Sequence, residues 1–173
     1  HYWYPGLGYG GSCFPKDVKE LAAYSRSVGQ GDNLFNKIDE LNENRIFTKL
    51  REYQRLVGGW QGKKVAVLGL SFKPHTDDLR VAPSTKVVPQ LLHEGAEVIA
   101  YDPMAIPVFR QQFGEAAGLR YEDNLETACT EAEIILLLIE WPEIVKFPYQ
   151  ELPGLPSGKS RWLIDTRNQL DAQ

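Results

Sequence analysis

The sequence predicts an α/β fold in which a helical segment precedes a Rossmann-like parallel sheet with flanking helices. Amphipathic patterns with three- and four-residue steps fill residues 16–57. After Gly62, short β-branched runs alternate with helical stretches, as in parallel sheets built from right-handed crossovers. The run 133–139 is continuously apolar after Glu133, which is typical of a strand buried on both faces. We therefore divide the chain into a helical segment (1–61) and a Rossmann-like domain (62–173).

The helical segment contains two predicted helices. Pro15 suits the first turn of the first helix, because its ring fixes φ and its missing N–H is not needed there. That helix is expected to end near Gly29. The second is capped by Asp32 or Asn33 and stopped by Gly58 and Gly59. Its apolar positions are Leu34, Ile38, Leu41, Ile46, Leu50, Tyr53 and Val57. This stripe exceeds what one small domain buries, so we expect the helix to pair with its copy in a homodimer.

The Rossmann-like part shows four strand patterns separated by helical intervals. The predicted strands are 64–69, 97–101, 133–139 and 161–164, and the predicted helices are 84–93, 105–115, 125–131 and 142–145.

Composition excludes several classes of function. The net charge is −4 with acids and bases interspersed, so a nucleic-acid partner is not expected. The longest apolar run, 134–139, is too short to span a membrane. The start has neither the basic region nor the cleavage site of a secretory signal, and no Met, which suggests an excised piece. Two cysteines make no disulfide framework and no metal-site spacing, so we expect a reducing cytoplasm and a buried, inert Cys129.

The stretch PGLGYGGSCFPKD, residues 5–17, carries the strongest chemical pattern. Its glycines allow the backbone to approach a ligand and to offer N–H groups. Cys13 precedes the helix opened by Pro15, where the helix N-terminus favours a thiolate. Lys16 adds positive charge, and Asp17 lies about one helical turn further on.

A second pattern follows the first predicted strand, at GLSFKPHTDDLRVAPS (69–84). Only Gly69 remains of a dinucleotide fingerprint and the helix is delayed, so we reject an NAD fingerprint here. Lys73 and Arg80 near a helix N-terminus still make a sound anion site. Two shorter strings, YDP at 101–103 and DTRN at 165–168, follow later strands.

These strings resemble the motifs of the UDP-glucose/GDP-mannose dehydrogenase family, in the right order and over nearly the whole chain. The resemblance implies that Cys13 is a nucleophile that forms a thiohemiacetal and then a thioester, and that Asp17 assists the sulfur and the hydrolytic water. It implies a substrate-holding loop of Tyr4, Pro5, Gly6, Leu7, Gly8, Tyr9 and Gly10, further substrate contacts from Phe72, Lys73 and Arg167, and NAD contacts from Cys13, Lys16 and Arg80. Members commonly carry Glu where this chain has Val81.

The leading function implied by the resemblance is NAD-dependent oxidation of UDP-glucose to UDP-glucuronate by two hydride transfers. The N-terminal NAD domain of the family is missing, so this chain alone is not expected to turn over. Three alternatives stay open: the same chemistry on GDP-mannose or another nucleotide hexose, a non-catalytic nucleotide-sugar-binding module, and a thiol switch. The thiol switch is the weakest, because no resolving cysteine is near Cys13.

Overall fold

A five-stranded parallel sheet forms the centre of the structure, a computed structural model that describes residues 6–170. The strands are β1 (Lys64–Leu68), β2 (Glu97–Tyr101), β3 (Leu119–Tyr121), β4 (Ile134–Leu137) and β5 (Trp162–Asp165). Their order is β3-β2-β1-β4-β5, and every neighbouring pair is parallel. The predicted fold class is therefore confirmed.

Within residues 6–170, six α-helices precede and connect the strands. They are α1 (Phe14–Ser27), α2 (Leu34–Val57), α3 (Ser84–His93), α4 (Ile106–Phe113), α5 (Leu125–Glu131) and α6 (Pro142–Val145), and a 3-10 helix covers Tyr149–Glu151. The Asn33 side chain caps α2 by accepting from the Asn36 N–H at 3.1 Å. Gly58, with φ of 75°, ends it in the left-handed conformation. No helix within residues 6–170 is long and apolar enough to cross a bilayer.

The core lies between the neighbouring strands β1 and β4 and the helices around them. All four residues of β4, and Val65 to Leu68 of β1, are completely buried. This burial explains why both runs are continuously apolar. Trp60 is 1% exposed and joins the same cluster, so the connection after α2 is anchored in the core of the sheet.

The sequence reading differs from the structure mainly at the edge of the sheet. Strand β3 was not predicted, because it has three residues and only Leu119 among them is buried. Three residues are too few to show a period of two. The helix expected over 105–115 stops at Phe113, since Gly114 follows with φ of 67°.

Candidate functional site

The carboxyl ends of β1 and β4 form a topological switch point. The chain leaves β1 towards β2 on one side, while β4 leads to β5 on the other. In sheets of this kind ligands bind in the crevice outside the strands at such a point. The segment 69–83 follows β1, the segment 138–141 follows β4, and Thr166 and Arg167 follow β5.

A buried carboxylate, Asp102, organises this end of the sheet. Its oxygens accept six hydrogen bonds, from the N–H groups of Leu70, Ser71, Met104 and Ala105, the Ser71 hydroxyl and the Trp141 indole. Asp102 is 3% exposed. The side chain thus fixes the start of the segment after β1 to the segments after β2 and β4, so it holds the walls of the crevice together.

The glycine loop, defined as residues 6–12, packs directly on the segment that follows β1. The Gly11 N–H donates to the Arg80 carbonyl at 3.1 Å. A Cβ on Gly11 would lie 2.8 Å from the Phe72 ring, and one on Gly10 would lie 2.2 Å from the Val81 oxygen. No larger residue fits at either position, so the loop's glycines permit its close approach to this segment.

The other end of the glycine loop reaches Arg167. A Cβ on Gly6 would lie 3.1 Å from an Arg167 guanidinium nitrogen. That guanidinium donates to both carboxylate oxygens of Glu140, at 2.7 and 2.9 Å. Burial raises the pKa of Glu140, but the hydrogen bond and charge of Arg167 outweigh it and hold the pKa below its usual value. The predicted substrate residue is therefore held in an ion pair beside the loop.

Cys13 is an exposed free thiol immediately before α1. Its carbonyl accepts from the Asp17 N–H at 2.9 Å, and its sulfur lies 3.7 Å from the Ser12 hydroxyl. The position places the sulfur at the positive end of the helix dipole. Cys129, by contrast, is completely buried, and burial raises the pKa of its thiol to about 12. The prediction that Cys129 is buried is confirmed, and its low reactivity stays a prediction.

The charged residues predicted for the site are exposed around Cys13 and the segment after β1. Lys16 pairs with Asp17 at 3.2 Å and with Glu20 at 3.5 Å. Arg80 pairs with Asp78 at 2.7 Å, and this pair raises the pKa of the guanidinium.

Lys73 also lies on the exposed side of this segment. Its ammonium group lies 5.3 Å from the centre of the Phe72 ring, the ring that covers Gly11. Two other residues predicted for the substrate loop, Tyr4 and Pro5, lie outside the described residues. Within residues 6–170, no group of three His, Cys, Asp or Glu side chains is arranged to hold a metal ion.

Three partners of the predicted site residues were missed by the sequence reading. Glu140 pairs with Arg167, Asp78 pairs with Arg80, and Asn42 holds both backbone groups of Tyr9. Asn42 left a trace in the sequence, since a polar residue of poor helix propensity stands beside the apolar stripe of α2. Glu140 and Asp78 left no such trace in the sequence, because charged residues in loops are usually solvated.

A doubly wound parallel sheet with cationic side chains beyond its strand ends belongs to the nucleotide-binding α/β class. Comparison with known families identifies the member of that class. The UDP binding domain of the UDP-glucose/GDP-mannose dehydrogenase family matches residues 66–172, and the central domain of the same family matches residues 1–44. The chain therefore belongs to the UDP-glucose/GDP-mannose dehydrogenase family, as the motifs indicate.

Known relatives agree with this assignment. The chain is 37% identical to a UDP-glucose 6-dehydrogenase of Pseudomonas aeruginosa, covering 97% of this chain and 38% of that protein. It is 36% identical to the UDP-glucose 6-dehydrogenase TuaD of Bacillus subtilis, covering 94% and 34%. A UDP-glucose dehydrogenase structure from Pyrobaculum islandicum superimposes with a TM-score of 0.81 at 31% identity, covering 96% of this chain and 36% of that one. The chain thus spans little more than a third of the length of these relatives.

Proposed function

We propose that this chain is the cysteine-bearing and nucleotide-sugar-binding part of an NAD-dependent UDP-glucose 6-dehydrogenase. The observation that carries the proposal is the position in which the glycine loop packs. Through Gly11 and Gly6 the loop touches both the segment after β1 and Arg167 after β5. This arrangement supports a single site shared by Cys13 and the residues expected to hold the nucleotide sugar.

Cys13 is the proposed nucleophile. Oxidation of the C6 alcohol, by loss of one hydride and of the hydroxyl proton, gives an aldehyde, which the Cys13 thiolate attacks to form a thiohemiacetal. Loss of a second hydride from that carbon leaves a thioester. Water then cleaves the C–S bond, which releases the carboxylate and returns the thiolate with two protons to solvent. Asp17, one turn into α1, is proposed to assist the sulfur and orient that water.

The substrate is proposed to lie in the crevice beyond β1 and β5. Lys73 is exposed and forms none of the salt bridges found within residues 6–170, so its charge is available to the phosphates. Phe72 and Arg167 are proposed to complete the contact from the strand side. The loop residues Tyr4 to Gly10 would cover the sugar.

This chain is proposed to contact only the nicotinamide side of NAD. Lys16 and Arg80 are exposed beside Cys13 and are suited to contact the cofactor near the reacting carbon. Gly6, Gly8 and Gly11 have the spacing of a three-glycine fingerprint, but no strand precedes them within residues 6–170, and only Gly69 follows β1. The rest of the full-length protein is therefore proposed to bind the pyrophosphate and the remainder of NAD. When bound, NAD supplies the hydride acceptor. This chain alone is therefore expected to be inactive.

Ligand binding to the 173-residue chain tests the assignment of the two halves. Calorimetry is expected to show UDP or UDP-glucose binding in the high micromolar to millimolar range, about 4–6 kcal/mol, and no NAD binding. Lys73→Ala should remove most of the UDP signal, whereas Lys159→Ala, an exposed lysine in a distant loop, should not. Tight NAD binding without UDP binding would reverse the assignment.

The nucleophile is tested in the full-length protein. Cys13→Ser is expected to block release of UDP-glucuronate, because an oxygen ester hydrolyses far less readily than a thioester. Cys129→Ala, which removes the buried thiol, should still release the acid. Product release is measured by chromatography of the nucleotide sugars. Steady release of UDP-glucuronate by Cys13→Ser would refute the covalent role of Cys13. GDP-mannose is assayed beside UDP-glucose, since the cysteine loop does not read the base.

The homodimer is proposed on the exposed apolar residues of α2. Leu34, Leu41 and Leu56 are 70%, 69% and 62% exposed, which supports pairing of this helix with its copy. Leu41→Glu is expected to lower the sedimentation coefficient of the full-length protein to that of a monomer. Met104→Glu, an exposed apolar position after β2, is the control. The division of the chain at residues 61 and 62 is also proposed.

A further inference from the structure

We infer that Asn42 of α2 is a positioning residue that sets the conformation of the glycine loop and, through it, the position of the Cys13 sulfur. This inference deepens the proposed function and rests on it for the catalytic meaning of Cys13. It does not depend on which nucleotide sugar is the substrate.

The first observation is a paired contact between one side chain and one backbone unit. The Asn42 carbonyl oxygen accepts from the Tyr9 N–H at 2.8 Å, and the Asn42 amide nitrogen donates to the Tyr9 carbonyl at 3.1 Å. Asn42 is only 9% exposed. Among side chains of this length, only asparagine offers a donor and an acceptor side by side. Aspartate would place an acceptor against the Tyr9 carbonyl.

The second observation is that the loop is shaped to receive this amide. Gly8 has φ of +121°, and a Cβ there would lie 2.6 Å from the Asn42 side-chain oxygen. The neighbouring Leu7 is 3% exposed within the core, and Arg45 donates to the Gly6 carbonyl from the next turn of α2. A cavity of only about 10 Å³ lies where the loop, α2 and the segment after β1 meet. The fit is tight enough to fix the loop against one face of α2.

The third observation links Tyr9 to the thiol. The Tyr9 ring meets the Phe14 ring edge to face, with centroids 4.9 Å apart. Phe14 follows Cys13 directly and opens α1. On the other side of Cys13, the Gly11 N–H donates to the Arg80 carbonyl, so Gly11 is fixed to the segment after β1. A shift of Tyr9 is therefore expected to disturb Phe14 and Gly11, which lie on either side of Cys13 in the chain.

The test compares Asn42→Asp with Asn44→Asp in the 173-residue chain. Both substitutions replace one amide by one carboxylate on the same helix. Asn44, however, is exposed, and among the described residues its side chain donates only to the Glu40 carbonyl of its own helix. Two quantities are measured. One is hydrogen exchange at the Tyr9 and Gly11 amides, with the Val67 amide as reference. The other is the pH dependence of Cys13 alkylation by iodoacetamide, with Cys129 as the internal reference.

We expect Asn42→Asp to speed exchange at Tyr9 and Gly11 by roughly tenfold. It should also displace the pH profile of Cys13 alkylation, while Asn44→Asp leaves both within about twofold. In the full-length enzyme, kcat is expected to fall by about tenfold to a hundredfold, because small misplacements of a reacting group are costly. Faster exchange at the loop with an unchanged Cys13 pH profile would overturn the inference.

A second variant approaches the same contact from the loop. Gly8→Ala leaves Asn42 in place but pushes a methyl group against its side-chain oxygen. If Asn42→Asp does not fold, the same displacement of the Cys13 pH profile in Gly8→Ala supports the inference, and an unchanged profile refutes it. The inference and the proposed function fail separately. Equal, slow alkylation of Cys13 and Cys129 in the unaltered chain counts against the nucleophile, whereas the comparison of variants judges Asn42.

Discussion

Replacing Asp102 by asparagine tests whether one carboxylate holds the crevice together. The Oδ2 atom accepts four hydrogen bonds, from the Leu70 and Ser71 N–H groups, the Ser71 hydroxyl and the Trp141 indole. The Oδ1 atom accepts two, from the N–H groups of Met104 and Ala105, both at 2.8 Å. An asparagine has one oxygen, which is expected to take the side with four donors. Its NH₂ group then faces two N–H groups.

The magnitude follows from the two bonds that this orientation loses. A hydrogen bond to a charged group contributes about 1.5–3 kcal/mol, so two such bonds amount to roughly 3–6 kcal/mol. Part of this loss is offset, because the buried carboxylate no longer has to be desolvated. We expect Asp102→Asn to lower the free energy of unfolding by about 2–4 kcal/mol. For a chain of this size that corresponds to a fall in Tm of roughly 5–15 °C.

Chemical denaturation and thermal melting measure the change. The control is Asp123→Asn, at an exposed position in the turn before α5, where a change within about 0.5 kcal/mol is expected. Exchange at the Leu70 and Met104 amides should accelerate more than exchange within β4, because the loss is local to the crevice. A change below about 1 kcal/mol for Asp102→Asn would refute this reasoning.

Three further predictions concern single residues around the site. The Tyr9 hydroxyl is buried without a hydrogen-bond partner among the described residues. Tyr9→Phe should therefore leave the unfolding free energy unchanged or raise it by up to about 1 kcal/mol. A clear loss of unfolding free energy in urea titration would contradict this. Val81 has φ of +53°, which is strained for a β-branched residue. Val81→Asn should therefore raise the unfolding free energy by about 1 kcal/mol and raise Tm with it. A lower Tm would count against the strain. The Arg167 ion pair lowers the pKa of Glu140 below its usual 4.5, so its stabilisation is present above that pH and is lost as the pH falls through the lowered pKa. The difference in unfolding free energy between the unaltered chain and Glu140→Gln should therefore be constant near neutral pH and shrink in acid; a constant difference at all pH values would exclude this pair as its source.

Sequence reasoning located the central strands well because their physical pattern is strong. The apolar run over β4 is explained by burial on both faces, and the caps of α2 follow from the chemistry of Asn33 and Gly58. The edge of the sheet could not be read in the same way. A strand of three residues with one buried side chain, as in β3, has no pattern that distinguishes it from a loop.

The partners of the site residues were harder to predict than the residues themselves. Cys13, Lys73 and Arg167 stand in strings whose residue types carry chemistry, whereas Glu140 becomes meaningful only when β4 and β5 lie side by side. The pairing of Arg167 with Glu140 spans 27 residues, and no local spacing records it. Such contacts are set by sheet order, which periodicity does not determine.

The spacing of the glycine loop is explained by the surface that receives it. Four glycines in six residues face four different neighbours, since a Cβ at Gly6, Gly8, Gly10 or Gly11 would meet Arg167, Asn42, Val81 or Phe72 respectively. These neighbours come from α2, from the segment after β1 and from the end of β5. Tertiary contacts therefore favour glycine at all four positions, and the positive φ of Gly8 and Gly11 favours it there as well. It follows that the loop cannot hold Cys13 in place unless α2 and the parallel sheet are both folded, so the thiol and the nucleotide crevice form as one structure.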